Sequence, residues 1–405
     1  MKFAHLADCH IGGWRDPKMR DISTTAFLQI IDKCIHEKVD FVLIAGDLFN
    51  TSLPGVERLR IVTEKLKELY DNNIPCYLIA GSHDYSPSGK TMLDVLESAG
   101  LCINVAKGKE INGRLQLSFT TDKKTGVKIT GLPGLRGGLD KNHYRKLLKE
   151  NLEKEPGEKI FMFHCSINEL KPSYLKEMEA EPLSILPRGF NYYAGGHVHI
   201  IEKYSDENYP AVVYPGPGFP NSFSELEKLQ QGGFYIVENW KLRYVPILIY
   251  PTHHIVLEIK EKNAEEVTEM ILEEIKNKKL GNTMITIRIF GKIIKDKPSD
   301  IDFKKIFKYC YDQGAYFVMK NTHKLESDTF QEIQMNTHSV QDIEKAIILE
   351  HAGQQKLFSE EEQLTFVQNL MHILNEEKSD GERINDFEER LFTGADNVFK
   401  ICKKN

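Results

Sequence analysis

Short apolar runs alternate with amphipathic stretches through the first half of the chain. KFAHLAD (2–8), FVLIAGD (41–47) and CYLIAGS (76–82) read as buried strands. Between them, Phe27, Ile30, Ile31, Cys34 and Ile35 form one helical face, and Val56, Leu59, Val62, Leu66 and Leu69 form another. Strand, helix, strand, helix, strand predicts an α/β domain with parallel pairing. Further strands are expected at 160–165, 190–199, 211–216 and 232–238.

Near Pro251 the texture changes. HIVLEIKE (254–261) and TMITIRIFG (283–291) alternate, AEEVTEMILEEIKNK (264–278) is helical, and 302–314 and 315–321 add a helix and a strand. This predicts a separate α+β domain of about ninety residues. After Thr337 the chain turns polar and charged, and two short helices follow. In 359–378, Ser359 and Glu362 have capping-box spacing ahead of a stripe of Leu364, Val367, Met371 and Leu374. In 383–392, Ile384, Phe387 and Leu391 form a second stripe. So small a helical pair cannot bury both stripes within itself, so it is expected to dock on its own body or on a partner. The expected divisions are 1–250, 251–337 and 338–405.

Composition narrows the class. Hydrophobic content of 41% and charged content of 28% over 405 residues suit a soluble globular protein. Seven cysteines without CxxC spacing argue against a disulfide framework or a zinc module. The start MKFAHLADCH lacks the features of a signal peptide and no stretch reaches transmembrane length, so a reducing cytoplasm is expected. The net charge of -6 disfavours indiscriminate DNA binding, although carboxylates that hold metals count against a DNA enzyme's balance. The one locally basic stretch, 135–150 with Arg136, Lys141, Arg145, Lys146 and Lys149, reads as a solvated loop and helix face ahead of a phosphate patch.

The strand endings carry the chemistry. They give Asp8-Cys9-His10, Gly46-Asp47, Gly81-Ser82-His83-Asp84, His164 and Gly196-His197-Val198-His199. A lone strand-end Asp or His is usually a cap. Five such endings in chain order are not explained by capping, because ligands of open α/β sheets bind beyond the carboxyl ends of the strands. Residues i and i+2 of an extended segment point the same way, so Asp8 with His10, and His197 with His199, are expected to reach one site. Mixed Asp and His donors suit manganese, iron(II) or zinc, and two such ions sharing a carboxylate suit phosphoryl displacement. No Walker A loop is present.

The order DxH, GD, GxHD, H, GHxH resembles the calcineurin-like metallophosphoesterases. With KFAHLADCHIG, VLIAGDLFN, GGHVH, VVYPGPG, SFSELE and GGFYIVE, the chain resembles their double-strand-break repair branch, the meiotic-recombination-eleven family, called SbcD in bacteria. The resemblance is strong over about residues 1–240. It implies a four-layer α/β sandwich core, a capping domain, and a helical segment that binds an SMC-like coiled-coil ATPase. It implies that Asp8, His10, Asp47 and His199 hold one divalent ion. Asp47 bridges to a second ion, held also by His164 and His197. His83 is implied as the catalytic histidine, with Asp84 orienting it.

Three positions depart from the family pattern. Ser82 replaces an Asn whose amide oxygen is a ligand of the second metal. Asn50 stands where His is frequent, and YPGPGFPNS replaces a Ser-Pro-Glu-Arg-like stretch. The resulting expectation is a manganese-dependent DNA exonuclease or endonuclease, homodimeric through helices at 55–72 and 90–99, acting with the ATPase. Two alternatives remain at this level: a small-molecule or cyclic-nucleotide phosphodiesterase, and a weakly active scaffold subunit.

Overall fold

The computed structural model describes residues 1–85, 91–135, 140–175, 177–327, 360–379, 382 and 384–402. Arg136, the expected linker after Thr337, and the side chains of Leu364 and Ile384 lie outside this description. The chain divides into two compact units, Met1–Thr329 and Phe330–Asn405.

Two six-stranded sheets face each other in the first unit. In one, β1 (Lys2–Leu6), β2 (Phe41–Ala45), β3 (Cys76–Ile79) and β4 (Ile103–Asn104) pair in parallel. β13 (Gly232–Glu238) returns antiparallel along β1, and β14 (Lys241–Ile247) lies outside it. In the other sheet, β8 (Lys128–Gly131), β9 (Lys159–His164), β10 (Tyr192–Gly196) and β12 (Val212–Pro215) are parallel. β7 (Thr120–Thr121) and β11 (Ile201–Tyr204) close its two edges antiparallel, and β5 (Gly108–Ile111) with β6 (Arg114–Leu117) forms a separate hairpin.

The central strands read as continuous apolar runs because both of their faces are covered. Phe3, Phe41, Leu43, Ile79, Ile160, Met162, Tyr192 and Val213 form the inter-sheet core. The outer face of the first sheet buries α1 (Pro17–His36), α2 (Val56–Asp71) and α3 (Met92–Ser98) through Phe27, Ile30, Val62, Leu66 and Leu93. Beyond the second sheet lie α4 (Asp140–Lys146), α5 (Lys149–Glu153) and, among the described residues, three short 3₁₀ turns. The result is the expected helix–sheet–sheet–helix sandwich. Val56 departs from its predicted stripe: at the first position of α2 it is 84% exposed.

The 252–327 region contains α7 (Ala264–Lys276), α8 (Phe303–Asp312) and three strands, β15 (Thr252–Lys262), β16 (Met284–Ile293) and β17 (Phe317–Ser327). All three strands are parallel, each joined to the next through a helix. Ile285, Ile287 and Ile289 face the helices in a core of their own. This small sheet seats on the sandwich where Tyr250 stacks on Tyr316 at 3.9 Å and the Tyr316 hydroxyl donates to Lys18 O at 2.9 Å.

In the second unit, α9 (Glu360–Leu374) and α10 (Ile384–Cys402) pack together, with Phe366 edge-on to Phe399 at 5.2 Å. The second helix runs ten residues past its expected end at 392, because Gly394 does not break it. A Cβ at Gly394 would lie 3.1 Å from Ile373, so the glycine allows the two helices to approach closely.

Candidate metal centre

The strands stop before the chemistry begins. β1 ends at Leu6, β2 at Ala45, β3 at Ile79 and β10 at Gly196, so Asp8, His10, Asp47, His83, His197 and His199 all sit in the loops that follow. Only His164 is the last residue of its strand. The loops are strained. Asp8 (φ 51°), His10 (41°), Asp47 (51°), His197 (102°) and His199 (52°) lie in the left-handed region, which costs non-glycine residues ~1–3 kcal/mol each. The expectation that extended i, i+2 alternation brings Asp8 to His10 is therefore wrong in mechanism. Left-handed turns aim these side chains, held by Asp8 N–H to Gly46 O (3.1 Å) and His10 N–H to Asp47 O (3.0 Å).

Three overlapping groups result: Asp8, His10 and His199; Asp8, Asp47 and His164; and His10, Asp47 and His83. Within each, the donor atoms lie within 4.8 Å of one another. Asp47 Oδ2 is 3.2 Å from His164 Nε2 and 3.7 Å from His10 Nε2, a position between two sub-sites. His10 Nε2 and His199 Nε2 face each other at 2.9 Å, and Asp8 Oδ1 is 3.8 Å from His199 Nε2. Two nitrogens so placed match one ion bound at ~2.0–2.2 Å with a near-right bite angle. Close approach is permitted by glycine: a Cβ on Gly46 would lie 2.2 Å from His164 Nδ1, and one on Gly81 2.2 Å from Asp47 Oδ1.

Asp8, His10, Asp47 and His164 are almost wholly buried. Burial pushes the Asp8 carboxyl up, although His199 and His164 oppose it. Burial acts on Asp47 in the same sense, but His164, His10 and the His83 N–H hold it well below the ordinary carboxylate range. Burial alone lowers His164, yet Asp47 and Asp8 raise it to about 10. His10 is lowered by burial to about 3. The cluster thus crowds two buried carboxylates against buried imidazoles, and Asp47 draws a positive charge onto the adjoining His164 ring. Such groups require positive charge between them. Divalent cations fit this donor set.

The supporting contacts fix tautomers. His164 Nδ1–H donates to Ala45 O at 2.8 Å, which presents Nε2 to the carboxylates. His199 Nδ1–H donates to Glu225 Oε2 at 3.0 Å, a carboxylate–histidine arrangement that orients a metal-binding ring. His83 Nδ1–H donates to Asn50 O at 2.9 Å, leaving Nε2 as the atom that can hold a proton, and its ring stands edge-on to His10 at 4.8 Å. Asp84 does not orient His83. Its carboxylate accepts from the backbone N–H groups of Gly81 (2.9 Å), Phe49 (3.1 Å) and Leu48 (3.4 Å), and so ties the loop after β3 to the loop after β2. A fully buried carboxylate is drawn to unpaired amides before a partly exposed ring.

Residues 1–200 match the family model of the calcineurin-like phosphoesterases. The DNA double-strand break repair protein Mre11 of Methanococcus maripaludis is 30% identical over 292 residues, 68% of this chain and 74% of that one. The chain belongs to the Mre11 family. The DNA double-strand break repair protein Mre11 of Methanocaldococcus jannaschii is 28% identical over 371 residues, covering 88% of this chain and 91% of that one. The Sulfolobus acidocaldarius Mre11 is 30% identical over 298 residues, 69% and 72% of the two chains.

In this Mre11-family chain the imidazole of His197 lies outside the three groups. Its ring is 5.2 Å from that of His164, and its backbone N–H donates to both Asp8 oxygens at 2.9 and 3.1 Å. Ser82 is half-buried in the turn directly before His83. Glu225 escaped the sequence reading. Its signal is the Ser222-x-x-Glu225 capping spacing at the start of α6 (Phe223–Leu229), which explains its position without revealing that its second oxygen reaches His199. Beside the site a cleft of about 640 Å³ is lined by Trp14, Arg15, Arg20, Asn50, Arg58 and Asn221. In the basic stretch at 135–150, Lys141 pairs with Glu179 and Lys149 donates to Ser184 O, consistent with a solvated face.

Proposed function

We propose that this protein is a manganese-dependent DNA nuclease of double-strand break repair that binds two metal ions. The observation carrying the proposal is the buried cluster in which Asp47 lies between His10 and His164, with His83 at its margin. Asp8, His10, Asp47 and His199 would hold one ion, and Asp47, His164, His197 and Ser82 the other. Bound ions supply charge that polarises a phosphodiester and eases deprotonation of water. Asp8 and Asp47 bring negative charge that offsets part of theirs. His83 Nε2 donates a proton to the departing sugar oxygen, with its ring held by the Asn50 carbonyl. Asp84 keeps the His83 and Asp47 loops in register. Glu225 fixes the His199 ring. The arginine-lined cleft beside the site offers positive charge to the DNA backbone.

The same reading includes a homodimer and an SMC-like coiled-coil ATPase partner. Leu374, Phe392 and Phe399 stay exposed on the α9–α10 pair, an apolar surface suited to a groove on the coiled coil. Among the described residues no helix is long and apolar enough to cross a membrane. The test is incubation of the purified protein and Mn2+ with labelled single- and double-stranded DNA, beside bis-p-nitrophenyl phosphate. DNA cleavage abolished by EDTA is expected. Turnover of the small diester with intact DNA would replace the proposal with a small-substrate phosphodiesterase.

A further inference from the structure

Arg288 places a charge within the mostly buried run MITIRIF of β16, the central strand of the small parallel sheet. Ile287 and Ile289 face the helices, so Arg288 lies on the opposite face. The pairing of β16 with β17 shifts register between Arg288 and Phe290, an irregularity of the kind that re-aims a side chain. The guanidinium meets α6 of the sandwich. Its Nε lies 3.0 Å from both oxygens of Glu227 and its Nη2 lies 2.6 Å from Oε2, while its Cζ stands 5.2 Å from the centre of the Phe223 ring. Phe223 and Glu227 are one helical turn apart and together grip the arginine. The pair is mostly buried, with side-chain exposures of 24% and 14%.

Glu225 lies two positions before Glu227, which on a helix turns it about 200° away. It points back into the sandwich and accepts from His199 Nδ1–H at 3.0 Å and Asn221 N–H at 2.8 Å. The seven-residue helix α6 is thus gripped on one side by the small sheet and on the other by a proposed metal ligand. The second seat of the small sheet, the Tyr250–Tyr316 stack beside Lys18, makes no contact of this kind with the cluster. We infer that Arg288 is a positioning residue: the seating of the small sheet on Glu227 sets α6, and through Glu225 sets the His199 ring and the occupancy of its ion. The inference rests on the two-metal reading above.

The test uses the full chain stripped of metal. Mn2+ binding is followed by the electron paramagnetic resonance of the free ion, in wild type, Arg288→Met, Arg288→Lys and Glu227→Gln. Arg288→Met and Glu227→Gln are expected to weaken one of two binding events by roughly 3- to 30-fold and leave the other in place. Arg288→Lys, which keeps the charge and loses the fork, should recover part of the loss. In the metal-free state, amide exchange over 222–229 should quicken in the same two variants. Glu227→Gln supplies the same measurement from the sandwich side if Arg288→Met does not fold. Wild-type affinity at both sites in the single variants would overturn the inference, as would an equal loss at both. A wild type that binds no pair of ions would instead overturn the metal reading itself.

Discussion

At the scale of single residues, the site separates groups that hold charge from groups that aim them. His83 is tied through Nδ1 to a carbonyl and keeps Nε2 for a proton, so His83→Ala is expected to abolish DNA cleavage while bound Mn2+, measured by atomic absorption, stays near the wild-type value. Asp47→Ala should lose both, since its carboxylate lies between His10 and His164. Normal cleavage by His83→Ala would remove it from the chemistry. Ser82 invites a titration. An amide oxygen reaches further than a hydroxyl, and perturbed metal surroundings commonly change affinity ~10–100-fold. Ser82→Asn should therefore lower the Mn2+ concentration for half-maximal cleavage, and an unchanged or raised requirement would show a site rebuilt around the serine. The residue types were legible in the sequence because buried strands ending in Asp and His have few structural explanations. The manner of their convergence was not. Left-handed φ at five of these positions follows from no local pattern, and at Asp8 and His10 it goes with loop hydrogen bonds to Gly46 and Asp47 that are distant in sequence. Asp84 was misread for a related reason: adjacency to His83 suggested a pair, whereas three backbone amides from two loops claim its oxygens.

At the scale of elements, periodicity located the central strands and the two large helices, whose sides are uniformly apolar or cleanly amphipathic. It missed β4 to β8, β11 and β14, which are short strands or edge strands, most with exposed or mixed faces, as in the exposed GKEI of β5. It also ended α10 early, at 392, where the stripe of Ile384, Phe387 and Leu391 stops, whereas the helix continues through Gly394, which accommodates Ile373. One element boundary carries a pH signature. Glu37, at the end of α1, pairs with Lys2 of β1 at 2.6 Å and with Arg243 of β14 at 3.0 Å. These hydrogen bonds, Lys2 first, lower its carboxyl to about 2. A depressed folded-state value means that the stabilisation is full above the unfolded carboxyl's range near 4.5 and fades as pH falls towards about 2. The urea midpoint of Glu37→Gln should lie below wild type at pH 7, and the gap should close through that window. A gap that stays constant down to pH 3 would assign the loss to packing instead of charge.

At the scale of the whole molecule, the expected dimer and partner surfaces make separate claims. α2 and α3 leave Val56, Tyr70 and Val95 exposed while Val62, Leu66 and Leu69 cover the sheet. Light scattering at micromolar concentration should report twice the 46.5 kDa chain mass, and a monomer would count against the interface. Truncation after about residue 355 should spare cleavage of simple DNA substrates and abolish co-purification with the coiled-coil ATPase. Retained co-purification would move the partner surface elsewhere. The topology of the first sheet also bears on how the molecule is made. β1, which leads into Asp8 and His10, is flanked on one side by β2 and on the other by β13, where Lys2 pairs with Glu238. On a ribosome adding ~5–20 residues per second, the first strand leaves the exit tunnel tens of seconds before its second neighbour exists. His164, His197, His199 and Glu225 are likewise made after β1 and before β13. A nascent chain therefore carries an unpaired strand edge and an incomplete ligand set through about the first half of its 405 residues, and it becomes competent for metal only once β13 has been made.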